Sequence, residues 1–312
     1  MTINAQHFQE ETLDKVYRLL QLLEEIGRHP ILKGKLCMHG GTAINIFMLD
    51  VPRLSVDIDL SYIGAADRKV MLVERPSIEK ALSEVVTLAG YNATGGSGDH
   101  AGRTYHLNYK GDWGPDQIKI DLIYLNRVPL LPTQYIPSSI NPEQQVHTFS
   151  NLELIGGKLK ALYDRVALRD LYDIANLKLY LDDFLANNPN QKDLCFKLMT
   201  FHASLSHHFP LPLEERVAQK FSNRKNELLS QVYPMLRNGE QPSLESLIKT
   251  AEDFIGNYVL PQDKQAERYL ELFAQATYQP QLLFADYPRT LSAAQIHPGA
   301  LWKLANLEKL ND

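Results

Sequence analysis

The chain has 312 residues, 44% hydrophobic and 22% charged, enough for two ordinary domains or one large one. Its net charge of −5 excludes a general nucleic-acid coat and leaves room only for a local basic patch. With two cysteines, no apolar h-region in residues 1–30 and no apolar stretch long enough to span a bilayer, a disulfide framework and a membrane protein are excluded, and a soluble cytoplasmic protein is expected.

Leu13, Val16, Leu19, Leu20, Leu23 and Ile26 recur at helical spacing, which predicts an amphipathic helix over Phe8 to Arg28 that packs on the core. Leu36-Cys37-Met38 then reads as a short strand, with Cys37 a core residue. Gly40-Gly41-Thr42 reads as a turn, and Ala43 to Leu49 as a helix. Strand, glycine turn and helix together let backbone N–H groups face a phosphate, because no side chain blocks the approach. Val56-Asp57-Ile58-Asp59-Leu60 reads as the next strand. Alternation puts Asp57 and Asp59 on one face and the three aliphatic residues on the other. Two carboxylates beside a phosphate cradle suit Mg²⁺, a hard cation that sits between acids and substrate phosphates. The alternative is a plain glycine turn followed by a solvated acid pair.

Further along, Ser77 to Ala89 reads as a helix and Gly95 to Gly98 as a flexible turn; a second phosphate loop would need a strand before it and a helix after it. Arg103 to Lys110 and Gln117 to Leu125 read as strands joined by a hairpin connection at Gly111 to Asp116. Within Lys119-Ile120-Asp121-Leu122-Ile123, Asp121 faces away from Ile120 and Leu122. It is placed either as a third acid of the site or as a solvated strand residue. Pro129, Pro132, Pro137 and Pro142 mark a linker-like stretch, either ordered and extended or flexible.

From Leu152 the pattern turns helical, over Leu152 to Leu181, Leu194 to Phe209, Leu213 to Leu236, Leu244 to Tyr258 and Lys264 to Tyr278. On one unbroken helix Lys158, Leu162, Arg165, Arg169 and Asp173 form a single stripe, with Leu159, Tyr163, Val166, Ala167, Leu171 and Ile174 on another face. By itself such a stripe reads as a solvated face with intrahelical ion pairs. Gly156-Gly157 is unfavourable inside a helix, so the helix is expected to start at Lys158. His202, His207 and His208 lack cysteine or well-spaced acidic partners and read as structural rather than metal-binding. Tyr269, Phe273, Tyr278, Phe284, Tyr287 and Trp302 read as core, with docking of an RNA end the weaker alternative.

The ordered set Gly40-Gly41-Thr42, Asp57-x-Asp59 and a later strand acid, Asp121, resembles the polymerase-beta-type nucleotidyltransferase superfamily. Lys158-Leu-Lys-Ala-Leu-Tyr-Asp-Arg165 followed by Arg169-Asp170-Leu171-Tyr172-Asp173 resembles the characteristic helix of the AbiEii/AbiGii toxins. These are nucleotidyltransferases of bacterial abortive-infection and toxin–antitoxin systems. The resemblance spans roughly residues 30 to 181 and takes in Arg53, Ser55, Arg127 and Pro129. It departs at His39, where many members carry Lys, and at Gly156-Gly157, where Ala-Glu is usual. Beyond about residue 182 there is no resemblance.

Pattern and resemblance together imply an α+β protein. A helix at 1–30 packs on a polymerase-beta-like catalytic domain at 31–150, built on a mixed sheet with helices. A C-terminal α-helical domain at 151–312 contributes Lys and Arg to the cleft. The resemblance implies a magnesium-dependent enzyme that transfers a nucleoside monophosphate from an NTP to the 3′ acceptor end of tRNA and so blocks translation, with a cognate antitoxin as partner. Asp57, Asp59 and Asp121 would hold metal. Lys158 and Asp173 join them as catalytic residues. Gly40, Gly41, Thr42, Lys158, Arg165 and Arg169 would bind the nucleotide. Arg28, Lys33, Lys35, Lys160 and Arg165 form either a local RNA patch or scattered solvated charges. Three other classes share parts of this pattern: a small-molecule nucleotidyltransferase, such as an antibiotic-modifying enzyme, a protein-nucleotidylating or protein-phosphorylating enzyme, and a non-enzymatic nucleotide-binding protein.

Overall fold

The apolar stripe of the first helix, α1 (Glu10–Arg28), is buried in the computed structural model, which describes residues 7–94, 98–99, 101–210 and 217–311. The chain divides into two units, Met1–Ser150 and Asn151–Asp312.

The first unit is built on one seven-stranded mixed sheet. Its strands are β1 (Leu36–His39), β2 (Asp57–Tyr62), β3 (Asn92–Thr94), β4 (Gly102–Gly111), β5 (Gly114–Ile123), β6 (Gln134–Pro137) and β7 (Gln145–Thr148), in the order β3-β4-β5-β2-β1-β7-β6. β1 runs antiparallel to β2, and β2 runs parallel to β5. Ile58, Leu60, Ile118, Ile120 and Leu122 are buried on one face, as the period of two demands. After β1 the chain makes a single α turn, α2 (Gly40–Thr42), and continues as a π-helix over Ala43–Met48 rather than as the expected α-helix. Such wide turns recur at functional sites. The Asn45 amide donates to the Gly41 carbonyl at 2.9 Å and ties this turn to the glycines.

The helix expected at Ser77 instead begins nine residues earlier, as α3 (Arg68–Leu88), and carries Pro76 in its interior. Asp67 caps it, accepting from the N–H groups of Lys69 and Val70 at 2.8 and 2.9 Å, so the helix is nucleated upstream of the proline. The β4–β5 hairpin is tighter than expected, with only Asp112 and Trp113 between the strands and Gly114 at φ +114°. Part of the proline-rich stretch, Gln134–Pro137, joins the sheet as β6. β6 lies at its edge, where Pro137 removes no ladder hydrogen bond that an inner strand would need. Residues 95–97 of the Gly95 to Gly98 turn and residues 213–216 of the expected Leu213 to Leu236 helix lie outside the described residues.

The second unit is helical: α4 (Asn151–Arg165), α5 (Leu168–Asn187), α6 (Lys192–Ser204), α7 (Val217–Phe221), α8 (Lys225–Gln231), α9 (Leu244–Tyr258), α10 (Lys264–Ala274), α11 (Gln281–Phe284), α12 (Pro288–Gln295) and α13 (Pro298–Asn311). α4 runs straight through Gly156 and Gly157 instead of starting at Lys158. A Cβ on residue 156 would lie 2.6 Å from Cγ of His202, so the glycine lets α4 and α6 approach closely, and packing outweighs its poor helix propensity. His202, half-buried with its Nε2 enclosed, is on the other side of that contact. Of the aromatic tail, Tyr269, Phe273 and Phe284 are fully buried, while Trp302 is exposed.

Candidate active site

Three carboxylates, Asp57, Asp59 and Asp121, share the polar face of the sheet in the first unit. Asp57 and Asp59 alternate with buried Ile58 and Leu60 on β2, which turns both acids to one face, half-buried. The parallel pairing of β2 with β5 sets Asp59 opposite Asp121 and Asp57 opposite Lys119. β4, antiparallel on the far side of β5, sets Thr104 opposite Asp121. The Thr104 hydroxyl donates to Oδ1 of Asp121 at 2.6 Å, and the Lys119 ammonium lies 2.5 Å from Oδ2. Burial alone would depress the Lys119 ammonium, yet its bond to Asp121 and the fields of Asp121, Asp57 and Asp59 hold it above the usual lysine range.

The glycine turn is fitted to these acids. β1 pairs with β2 so that His39 stands opposite Asp59, and the next residue, Gly40, takes φ +75°. A Cβ on residue 40 would stand 2.7 Å from Cγ of Asp59. Glycine is therefore required twice, for the left-handed backbone and for the space the carboxylate occupies. Thr42 is fully buried. Its hydroxyl donates to the Asp57 carbonyl at 2.5 Å and lies 2.9 Å from the Ser55 hydroxyl. Its side chain thus clamps the acid strand rather than reaching toward a ligand. Buried Arg53 donates to the Leu54 carbonyl at 2.9 Å and fixes the entry to β2.

The second unit holds a separate charge cluster. The stripe drawn on an unbroken helix does not form, because the chain breaks between α4 and α5, with Val166 at φ +50°. Lys158 is almost completely buried, its Nζ 2.9 Å from Asp170 Oδ1 and 2.8 Å from Asp173 Oδ2. Arg165 grips Asp170 with two bonds, Nε to Oδ2 at 2.7 Å and Nη2 to Oδ1 at 2.9 Å, while its side chain stays 62% exposed. Burial would raise the Asp170 carboxyl, but Lys158 and Arg165 outweigh it and hold it below the usual carboxylate range. The two cations and two carboxylates balance. Arg169 is exposed beside this cluster.

Asp170 stands in the sequence only as part of the toxin-like motif, with no role of its own, and Lys119 and Thr104 were given none. Lys119 could have been found, since it shares the Asp121 face by simple alternation. Of the candidate basic patch, Lys35 pairs with Glu74 at 2.9 Å, Lys160 with Asp164 at 2.5 Å, and Arg28 with Glu24 on its own helix.

Among the described residues no three His, Cys, Asp or Glu side chains converge as a closed cage for a metal ion. A magnesium site does not need one, since that ion keeps several waters and takes one or two carboxylates together with substrate phosphates. The all-carboxylate donor set and its half-exposure fit such an ion, and Gly40 leaves the Asp59 carboxylate room to stand in it.

A family model described as the nucleotidyl transferase AbiEii toxin of a type IV toxin–antitoxin system matches residues 21–271. The chain belongs to this family. It is therefore a nucleotidyltransferase, and a toxin of the toxin–antitoxin class. An AbiEii nucleotidyltransferase takes an NTP as substrate and has an antitoxin as its counterpart. Two solved structures have a similar fold. MenT4, a nucleotidyltransferase toxin from Mycobacterium tuberculosis, aligns with a TM-score of 0.55 at 16% identity, over 93% of this chain and 95% of its own. JHP933 from Helicobacter pylori aligns with a TM-score of 0.51 at 13% identity, over 86% of this chain and 97% of its own. At these identities the likeness is one of fold. No curated protein matches the sequence. No helix among the described residues is long and apolar enough to cross a membrane.

Proposed function

We propose that this AbiEii-family chain transfers a nucleoside monophosphate from an NTP to the 3′ end of a tRNA, with magnesium at the acid face, and so stops translation in the cytoplasm. The observation that carries the reading is the register that sets Asp59 beside Asp121, with Gly40 shaped around Asp59. Asp57 and Asp59, with Asp121 beside them, would hold Mg²⁺. The ion would offset triphosphate charge and stabilise the oxygens of an in-line displacement.

The chain's own residues account for the rest. Gly40 and Gly41 bring backbone, free of side chains, to the outer phosphates. Thr42 and Arg53 hold β2 in place beneath the acids. Arg165 and Arg169 of the helical domain are assigned to the triphosphate by the family resemblance, Arg being suited to bidentate contact with phosphate. Lys158 and Asp173 are assigned to holding the α4–α5 junction, and through it those arginines, since the Lys158 ammonium is committed to Asp170 and Asp173. In the reaction the acceptor hydroxyl oxygen bonds to the α-phosphorus. The bond from that phosphorus to the bridging oxygen breaks, pyrophosphate leaves, and the hydroxyl proton passes to solvent or to a carboxylate of the acid face.

Incubating the purified chain with each labelled NTP in the presence of total tRNA, followed by separation of RNA from protein, tests this. Label is expected on RNA, dependent on Mg²⁺ and lost in Asp57→Ala and Asp59→Ala variants that still fold. Label confined to protein or to small molecules, or a fully active Asp57→Ala enzyme, would overturn it.

A further inference from the structure

Lys119 stands at the centre of the acid face and has no role in the nucleotidyl transfer described above. It lies on β5 two residues from Asp121, so both side chains share the polar face. Its cross-strand partner on one side is Asp57 on β2, and on the other His106 on β4. His106 is turned elsewhere, with Nδ1 2.9 Å from the Gln117 amide oxygen. The ammonium instead takes Oδ2 of Asp121, while Thr104 takes Oδ1. Both oxygens of the third acid are thus engaged by donors from the protein. A full positive charge sits where a cation bound to Asp121 would otherwise lie.

We infer that Lys119 is a built-in counter-cation of the acid face: it holds the Asp121 carboxylate in position and competes with a second divalent ion for it. The inference rests on the reading that these acids bind a divalent metal. An ammonium carries its charge on a flexible four-carbon stem and can swing away, whereas a fixed dipole could not. Two cations sharing one carboxylate at contact distance repel strongly in a half-buried site. A divalent ion arriving at Asp121 must therefore displace Lys119, while an ion held by Asp57 and Asp59 need not. The consequence is an asymmetric pair of metal positions: Lys119 stands beside Asp57 as well, but only an ion at Asp121 must break its bonded contact.

Binding of Mn²⁺ to the full-length protein without nucleotide, followed by electron paramagnetic resonance, reads this directly. The wild type is expected to take one Mn²⁺ that is lost in Asp57→Asn and in Asp59→Asn, and a second only weakly. Lys119→Met should tighten the second by about tenfold or more. Lys119→Arg should behave as wild type, and the added change Asp121→Asn should abolish the gain. Superimposable titrations of wild type and Lys119→Met, or a gain that survives loss of Asp121, would sink the inference and leave the metal reading standing. No Mn²⁺ binding that depends on Asp57 and Asp59 would overturn both. Thermal unfolding of each variant identifies a plain structural ion pair within β5, which would change stability and leave the titration unmoved, and so overturn the proposal.

Discussion

Gly40 and Asp59 are fitted to each other: residue 40 follows the strand position paired with Asp59, and a Cβ there would press into the Asp59 carboxylate. The turn can close over the acid strand only while position 40 carries no side chain.

Gly40→Ala is therefore expected to cost about 1–3 kcal/mol of stability, from the left-handed backbone and the clash. Transfer should fall much further, by roughly a hundredfold or more, because a displacement of about 1 Å at a catalytic acid is that costly. Thermal unfolding and single-turnover transfer, measured on the same sample, check both figures. An Ala variant with near-normal transfer would show that the Asp59 position is not critical.

Lys158 and Arg169 should separate cleanly. Lys158→Met leaves Asp170 and Asp173 buried without their shared cation, a loss of about 3–5 kcal/mol. Arg169→Ala removes an exposed side chain and should alter stability by no more than about 0.5 kcal/mol, while weakening NTP binding. Denaturant titration beside nucleotide titration distinguishes them. A stable Lys158→Met protein would contradict the buried cluster, and unchanged NTP affinity in Arg169→Ala would remove that residue from the nucleotide site.

His202 makes stability pH-dependent in a predictable window. Burial, with smaller effects from His297 and Lys160, lowers its imidazole from the usual 6.5 to about 3, and its Nε2 has no hydrogen-bond partner among the described residues. The unfolded chain takes up a proton below about pH 6.5 and the folded chain does not, so stability is full above that pH. It falls as pH drops, by up to about 1.4 kcal/mol per unit from this group, until about pH 3. His147, also lowered chiefly by burial, adds a loss of the same sign below its ordinary value of 6.5. The paired carboxylates Asp164 and Asp170 lose their stabilisation only as pH falls through folded values below 3.8. Urea titrations between pH 7 and 4.5 should show the slope, reduced in His202→Asn. A flat profile would mean that His202 is protonated in the folded chain.

The acceptor should be read locally. The net charge is −5, and Lys35, Lys160 and Arg28 of the candidate patch are paired to acids, which argues for few phosphate contacts. An acceptor-stem minihelix is expected to be modified nearly as well as whole tRNA. The logarithmic salt slope of binding should be shallower than about −3. A strict requirement for the anticodon arm, or a steep slope, would refute local recognition.

The acid face was legible because alternation is local: Asp57 and Asp59 share a face whatever the strand pairs with. That Asp59 lies beside Asp121 was not, since it depends on β5 lying parallel to β2, a pairing that no short-range signal encodes. The α4–α5 break was hidden for a similar reason. Valine is a poor residue for positive φ, and Val166 adopts it where the buried Lys158–Asp170–Arg165 contacts draw the two helices together. Gly156 misled in the opposite direction, because its value lies in the approach of His202, not in its own propensity. Pro137 concealed β6, since a proline on an edge strand looks the same in sequence as one in a linker.

The parallel pairing of β2 with β5 also fixes an order of assembly. A hairpin can form as soon as its two strands leave the ribosome, but a parallel partner must wait for the whole intervening chain. β3, β4 and the long helix α3 all lie between β2 and β5 in sequence, so Asp59 meets Asp121 only after they have been made. Nascent chains cut short before β5 carry the glycine turn and the acid pair but lack their third member. On the proposed reading of the acid face such fragments are expected to be inactive, so that the growing polypeptide gains its activity only after most of the sheet has been made.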